Sequence, residues 1–186
     1  RFQGKSSLGL RGDAILEFDW QVGEVMKTLD RLKLTESTLV IVCSDNGPVL
    51  DDGYKDEAVE KLGDHKPAGP FRGGKYTVFE GGTRTPFIAH WPARIPPGVS
   101  DEVVCTIDLP ASLAAFTGTP LDRTACRDSF NVMAALLGDE GAKGRPDLLQ
   151  QDNSGYSLGL RAGSWKLVRL RTAKKGKADT AYRELL

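Results

Sequence analysis

Two short segments of the chain carry side chains suited to a binding or catalytic site. The first, Cys43-Ser44-Asp45-Asn46-Gly47, directly follows an apolar, β-branched run. The Asp45 carboxylate and the Asn46 amide carbonyl are hard oxygen ligands, which suit calcium or magnesium better than zinc. In open α/β sheets, ligands gather at the carboxyl ends of strands, where this segment lies. The alternative is that Asp-Asn-Gly is simply a turn, which these residue types also favour.

The second segment runs from residue 71 to residue 86 and contains one lysine between two pairs of glycines. Lys75 follows Gly73 and Gly74 and precedes Gly81 and Gly82. Glycines allow a backbone to approach a ligand closely. The lysine ammonium is a compact charge that suits an oxyanion such as sulfate or phosphate. The alternative is a glycine-rich β-turn with a solvated lysine.

The elements that would position these segments follow from hydrophobic periodicity. Apolar residues recur at three- and four-residue spacing over 13–33, which predicts an amphipathic helix. The run Thr38-Leu39-Val40-Ile41-Val42-Cys43 has no polar alternation, which predicts a strand buried on both faces, as in a parallel sheet. A helix followed by a buried strand favours an α/β sandwich.

The rest of the chain contains shorter patterns. We predict helices at 55–62, 108–116 and 129–137, strands at 77–79 and 86–91, a linker at 138–155 and a hairpin of strands at 156–161 and 164–170. Asp108 is the predicted N-cap of its helix, and Gly118 and Gly138 are expected to end the last two helices.

Composition excludes several classes of protein. The 186 residues include 25 basic and 25 acidic side chains, and this balance argues against a nucleic-acid-binding protein. No apolar run is long enough to span a membrane. Two histidines and three scattered cysteines make a histidine-rich zinc site or a disulfide scaffold improbable. A chain that begins at Arg1 and ends abruptly at Leu186 is expected to be a piece of a longer protein.

Taken together and in order, the motifs resemble the later part of the sulfatase family, the formylglycine-dependent, arylsulfatase-like branch of the alkaline-phosphatase superfamily. The resemblance covers nearly the whole chain. It rests on Gly12-Asp13 with Asp19-Trp20, Ser44-Asp45-Asn46-Gly47-Pro48, Arg72-Gly73-Gly74-Lys75 with Glu80-Gly81-Gly82-Thr83-Arg84-Thr85-Pro86, Asp108-Leu109-Pro110 and Leu160-Arg161-Ala162-Gly163-Ser164-Trp165.

The resemblance implies roles for individual residues. Asp45 and Asn46 would be two ligands of one calcium ion, with the remaining ligands outside this chain. Lys75 would be catalytic and substrate-binding, holding the sulfate oxygens and offsetting charge that develops on them. The family's nucleophile is a formylglycine made from a Cys/Ser-x-Pro/Ala-x-Arg motif. This chain lacks that motif, so we expect formylglycine upstream and an inactive isolated chain.

Further roles are implied for the long polar loop that follows Asn46. His65 would bind substrate by contacting a sugar hydroxyl or assisting the leaving group, with a surface loop histidine as the alternative. Asp51 and Asp52 are weaker candidates for substrate hydroxyls. We expect Arg84 to brace the Lys75 loop by pairing with a carboxylate, and His90 to be a core residue.

The implied fold is α/β, part of an alkaline-phosphatase-like, mostly parallel sheet sandwiched by helices. A small C-terminal α+β subdomain with an antiparallel hairpin would follow, dividing the chain into residues 1–138 and 139–186. The implied substrate is a sulfated small molecule or glycan, with a slight preference for carbohydrate, and the implied location is periplasmic or secreted. The alternatives are a phosphodiesterase or phosphatase of the same superfamily and a non-catalytic sulfatase remnant.

Overall fold

A computed structural model of the chain describes residues 1–122, 124–171 and 182–185. The chain divides into two compact units, Arg1–Phe87 and Ile88–Leu186. This division follows contacts within the chain. The predicted division at residue 138 concerns the domains of the whole protein and stays a prediction.

The first unit is built around one long helix, α1, at Gly9–Arg31. The predicted helix is confirmed, although it begins four residues earlier than the apolar periodicity indicates. Its apolar face is largely exposed in this chain, since Ile15, Phe18 and Val25 are all more than half exposed. The residues that α1 buries are instead Gly12 and Asp13, near its start.

Two short strands form a two-stranded sheet, β1 at Val40–Cys43 and β2 at Phe87–His90. Ser44 N–H, just after β1, donates to the carbonyl oxygen of Pro86, just before β2, so the strands run antiparallel. The described residues therefore contain an α/β arrangement without the parallel sheet that was predicted. A β-branched run indicates burial, but it does not determine the direction of the neighbouring strand. In this chain β1 is only half-buried, and Cys43 is exposed.

A single helical turn, α2 at Glu80–Thr83, follows the Lys75 segment. The strand predicted at 77–79 is wrong, because Phe79 accepts hydrogen bonds from Gly82 and Thr83 and so begins this turn. The predicted helix at 55–62 is reduced to isolated turns, of which one is closed by Lys61 N–H donating to the Glu57 carbonyl oxygen.

The second unit contains helices α3 at Leu109–Thr117 and α4 at Met133–Leu137. Gly118 and Gly138 follow them in the left-handed region, at φ 67° and 73°, as predicted. The predicted helix at 129–137 is shorter than expected because Ser129 and Asn131 bond to backbone: the Ser129 hydroxyl accepts from Ala111 N–H and Asn131 Oδ1 accepts from Met133 N–H.

An antiparallel sheet of four strands completes this unit, in the order β3-β4-β5-β6. Its strands are β3 at Asp147–Gln151, β4 at Leu158–Ala162, β5 at Trp165–Arg171 and β6 at Tyr182–Leu185. The predicted hairpin is confirmed as β4 and β5, which turn at Gly163 with Ala162 opposite Trp165. The linker predicted at 138–155 is wrong at 147–151, where β3 pairs with β4.

Asp108 lies at the predicted N-cap position of α3, but its side chain does not cap that helix. The fully buried carboxylate accepts hydrogen bonds from Cys105 N–H and Phe130 N–H, each at 3.0 Å. It also accepts from Arg145 Nη1 at 2.6 Å, in an ion pair that is almost completely buried. Asp108 and Arg145 therefore connect the start of α3 to the segment that leads into β3.

Candidate functional site

The turn at Asp45 and Asn46 follows β1 and presents oxygen atoms to solvent. One Asp45 carboxylate oxygen accepts from Asn46 N–H at 2.9 Å, and the Asp45 side chain is exposed. The Asn46 amide nitrogen donates to the Gly47 carbonyl oxygen at 2.9 Å, and the Ser44 hydroxyl donates to the Asn46 carbonyl oxygen. The bond to Gly47 fixes the orientation of the Asn46 side-chain amide.

The Lys75 segment packs directly against this turn through backbone atoms. Gly47 N–H donates to the Gly82 carbonyl oxygen at 2.9 Å, and Lys75 N–H donates to the Pro48 carbonyl oxygen at 2.9 Å. The structure thus brings together the two segments that carry Asp45, Asn46 and Lys75. They are 29 to 30 residues apart in the sequence, and the long polar loop returns the second segment to the first.

The glycines of both segments make this contact possible. A Cβ on Gly47 would overlap the Gly81 carbonyl oxygen, and a Cβ on Gly74 would lie 2.5 Å from the Pro48 carbonyl oxygen. Gly81 and Gly82 are equally crowded, by the carbonyl oxygens of Gly73 and Gly74. The sequence predicted that these glycines would let the backbone approach a bound ligand closely. The structure shows the close approach between segments of the protein itself.

Lys75 is half-buried, and its ammonium lies 5.2 Å from the centre of the Tyr76 ring. Tyr76 adopts φ 76°, a left-handed conformation that is unusual for a residue with a Cβ. Such strain persists only where surrounding contacts impose it, and it is common at functional sites. Here it reverses the chain immediately after Lys75.

Arg84 pairs with a carboxylate of its own segment, as predicted, and its bracing role stays a prediction. Its Nη1 lies 4.0 Å from Glu80 Oε2, and its guanidinium lies 5.0 Å from the centre of the Phe71 ring. His90 is the last residue of β2 and is exposed in this chain, so the prediction of a core histidine is wrong here. The apolar neighbours that suggested burial alternate between the two faces of a short strand.

His65 lies elsewhere in the first unit. It is exposed and lines an open depression together with Ser7, Leu8, Lys61, Leu62, Gly63 and Asp64. That lining includes none of Asp45, Asn46 and Lys75. The role predicted for His65 stays a prediction.

Sequence reasoning missed Arg11, which connects α1 to the loop after Asn46. Arg11 Nη2 lies 2.7 Å from Asp52 Oδ1, Nε lies 2.6 Å from Asp56 Oδ2, and Nη1 donates to the Val49 carbonyl oxygen. The hydrogen bond from Arg11 lowers the pKa of Asp56 below its usual value, and the two carboxylates raise the pKa of Arg11. Asp52 is therefore paired with Arg11, and Asp51 accepts from Gly53 N–H in a local turn.

Asp13 anchors the start of the chain to α1. Its carboxylate accepts from the backbone N–H groups of Gly4, Lys5 and Ser6 at 2.7–3.0 Å. The bonds from Ser6 and Gly4 are the main reason that the pKa of Asp13 lies below its usual value. The pair Gly12-Asp13 was recognised in the sequence as a motif, but the backbone donors that bind Asp13 were not predicted.

Within the described part of the chain, no three His, Cys, Asp or Glu side chains lie close enough to hold a metal ion by themselves. Of the described helices, none is both long and apolar enough to cross a membrane.

Comparison with known proteins places these observations in a family. Residues 1–119, more than half of the chain, match the family model described as Sulfatase. The chain is 47% identical over 168 residues to an N-acetylgalactosamine-6-O-sulfatase of Bacteroides thetaiotaomicron, covering 90% of this chain and 32% of that protein. It is 38% identical over 137 residues to human arylsulfatase A, covering 74% of this chain and 25% of that protein.

Solved structures agree. A structure from Bacteroides thetaiotaomicron, described in work on the metabolism of multiple glycosaminoglycans, has a TM-score of 0.88 and 45% identity over 98% of this chain and 38% of that one. The PsFucS1 sulfatase from Pseudoalteromonas sp. has a TM-score of 0.70 and 29% identity, over 93% of this chain and 33% of that one. The chain thus spans 25–38% of the length of these relatives.

Proposed function

The chain belongs to the sulfatase family, and from this we propose that it forms part of an enzyme that hydrolyses sulfate esters of carbohydrates, with Lys75, Asp45 and Asn46 in its site. One observation carries the proposal. The turn that presents two oxygen ligands and the loop that presents one lysine are joined by two backbone hydrogen bonds and by glycines that admit no side chain.

The donor set of the turn fits calcium. Asp45 and Asn46 supply a carboxylate and an amide oxygen, which are hard ligands, and neither is a histidine or a thiolate. Calcium takes six to eight oxygen ligands, so the remaining ones must come from outside this chain. A calcium ion bound there would withdraw electron density from the sulfate ester and position the nucleophile.

The proposed role of Lys75 follows from its charge and its attachment. Its backbone N–H is fixed to Pro48, and the left-handed Tyr76 turns the chain away beyond it. The ammonium would bind a sulfate oxygen beside Asp45 and Asn46 and offset the negative charge that develops during cleavage. We propose that the nucleophile is a formylglycine supplied upstream of this chain.

The carbohydrate preference rests on relatives and on the loop. Two relatives are described as N-acetylgalactosamine-6-sulfatases, the second from dog at 39% identity over 142 residues. In this chain, His65 would contact a substrate hydroxyl from the polar loop. Export to the periplasm or the cell exterior is proposed on family resemblance alone.

The test is Lys75→Ala in the complete enzyme. Removing one preorganised charge donor is expected to lower kcat by roughly 10²–10³-fold. Lys27→Ala serves as the matched control, because Lys27 is an exposed residue of α1 that pairs with Glu24 one turn away. Unchanged sulfate ester hydrolysis in the Lys75 variant would refute the proposed role. Hydrolysis of phosphate diesters in place of sulfate esters would favour the phosphodiesterase alternative, and activity toward neither would favour the non-catalytic one.

A further inference from the structure

We propose that Arg11 is a positioning residue for the site, and that it holds the Asp45–Asn46 turn and Lys75 in register by anchoring residues 48 and 49 to helix α1. The inference rests on the proposed function. Arg11 touches neither Asp45 nor Lys75, so any effect on the chemistry must pass through the backbone between them.

Among the described residues, three hydrogen bonds from other segments hold the backbone of residues 47–49. Gly47 N–H bonds to the Gly82 carbonyl oxygen, and the Pro48 carbonyl oxygen accepts from Lys75 N–H. Both bonds come from the Lys75 segment. The third is the bond from Arg11 Nη1 to the Val49 carbonyl oxygen, and it comes from α1. Without it, the turn and the Lys75 segment keep their bonds to each other, but residue 49 loses this bond to the long helix.

The guanidinium is itself held rigidly. Asp52 and Asp56 accept from Nη2 and Nε, so all three nitrogens of Arg11 have a carbonyl or carboxylate acceptor. Asp56 is fixed in turn, because its other oxygen accepts from Ala58 N–H at 3.1 Å. Only about a quarter of the Arg11 side chain is exposed, and Asp52 and Asp56 are still less exposed. A lysine ammonium cannot reproduce the planar guanidinium, which donates hydrogen bonds to three acceptors.

The consequence for the site is geometric. Pro48 lies between the residue that Arg11 holds and the turn that carries the two oxygen ligands, and its carbonyl oxygen is the partner of Lys75 N–H. Moving residues 48 and 49 therefore shifts the metal ligands and the lysine at the same time. Partners that orient metal ligands typically contribute 10–100-fold to metal affinity or activity.

The experiment compares Arg11→Met and Arg11→Lys with wild type in the complete protein. Calcium binding is measured by calorimetry on calcium-depleted protein, and kcat and KM are measured with a sulfated monosaccharide. We expect the calcium dissociation constant of Arg11→Met to rise roughly 10–100-fold, with kcat falling and KM changing less. Arg11→Lys should fall between wild type and Arg11→Met. Faster hydrogen exchange of the Lys75 amide would report the loosened bond to Pro48 directly.

Two further variants separate the possible outcomes. Lys27→Met on the same helix should leave calcium affinity unchanged, and Asp45→Ala should abolish it. If both Arg11 variants unfold at lower urea concentration but keep the wild-type calcium affinity and kcat, Arg11 only stabilises the fold and the inference is wrong. If wild type neither binds calcium nor cleaves sulfate esters, the proposed function fails and this inference fails with it. If wild type does both and the Arg11 variants match it in calcium affinity and kcat, the proposed function survives and the inference about Arg11 is wrong.

Discussion

Replacing Arg145 by Met should strongly destabilise the second unit, because it leaves the Asp108 carboxylate buried without its counter-ion. Asp108 is fully buried and Arg145 is about 7% exposed, so water cannot replace the lost partner. The carboxylate would retain two backbone N–H donors, from Cys105 and Phe130. The Asp128 carbonyl oxygen would lose a donor as well.

The expected magnitude follows from the type of interaction. Removing one partner of a buried ion pair costs about 3–5 kcal/mol, mostly the penalty of the stranded charge. Domains are stable by only about 5–15 kcal/mol in total. Arg145→Met should therefore remove a large fraction of the stability of this unit.

A double-mutant cycle isolates the pair. Asp108→Asn keeps the shape of the side chain but strands the Arg145 guanidinium, so it should also cost several kcal/mol, on the order of 3–5. Each single change leaves one charge of the pair buried without its partner, and the double variant contains neither charge. The double variant should therefore be destabilised by less than the sum of the two single changes, by about 0.5–3 kcal/mol.

The assay is equilibrium urea unfolding of the complete protein, followed by tryptophan fluorescence. Trp91, one of the three tryptophans of this chain, packs edge-on against Phe116 of α3 at 5.6 Å and contributes the signal from this contact in the second unit. Lys27→Met, which breaks an exposed pair on α1, is the control and should change little. A cost below about 1 kcal/mol for Arg145→Met, or additive single changes, would refute the reasoning.

Three further predictions concern the first unit. Asp13→Asn should destabilise the protein at pH 7 and make its stability less dependent on acid. Backbone N–H donors lower the pKa of Asp13, so its stabilising contribution is present above about pH 4 and is lost as the pH falls through the lowered pKa. Urea unfolding of both proteins from pH 7 to pH 2.5 would disprove this if the difference in their stability stayed constant. Gly47→Ala should lower the free energy of unfolding by about 1–3 kcal/mol and reduce sulfatase activity, because its Cβ would overlap the Gly81 carbonyl oxygen. Gly23→Ala, in open space on α1, should instead raise the free energy of unfolding by roughly 0.5–1 kcal/mol. Equal effects of the two changes in urea unfolding would contradict the backbone contact at Gly47. His65→Ala should raise KM for a sulfated sugar and leave an aryl sulfate unaffected, and steady-state kinetics showing the same change for both substrates would remove His65 from the sugar site.

Local signals predicted much of the fold. The three- and four-residue spacing located α1, the glycines at 118 and 138 ended α3 and α4 in the left-handed region, and Ala162-Gly163 marked the hairpin. Each of these depends on residues within one or two turns of each other, where backbone preference decides the outcome.

Long-range partners were not predictable in the same way. Arg11 contacts Asp56 across 45 residues, and Arg145 contacts Asp108 across 37. A charged residue in a sequence shows that a partner is needed when it is buried, but not which of many carboxylates supplies it. Similarly, Asp108 correctly marked the start of α3 in the sequence. Its side chain, however, bonds to Arg145 and to two backbone amides outside that helix.

The glycines around Lys75 show how a correct location can rest on an incomplete physical reason. Their density indicated a place where something approaches the backbone closely, and the sequence suggested a ligand. In the structure, the approaching groups are the Pro48 carbonyl oxygen at Gly74 and the Gly81 carbonyl oxygen at Gly47. No side chain separates the two segments, and backbone hydrogen bonds join them at Gly47 and at Lys75. Any substitution that adds a Cβ at this contact should therefore disturb the lysine and the oxygen ligands together, which makes the glycines as specific to the proposed site as the residues they position.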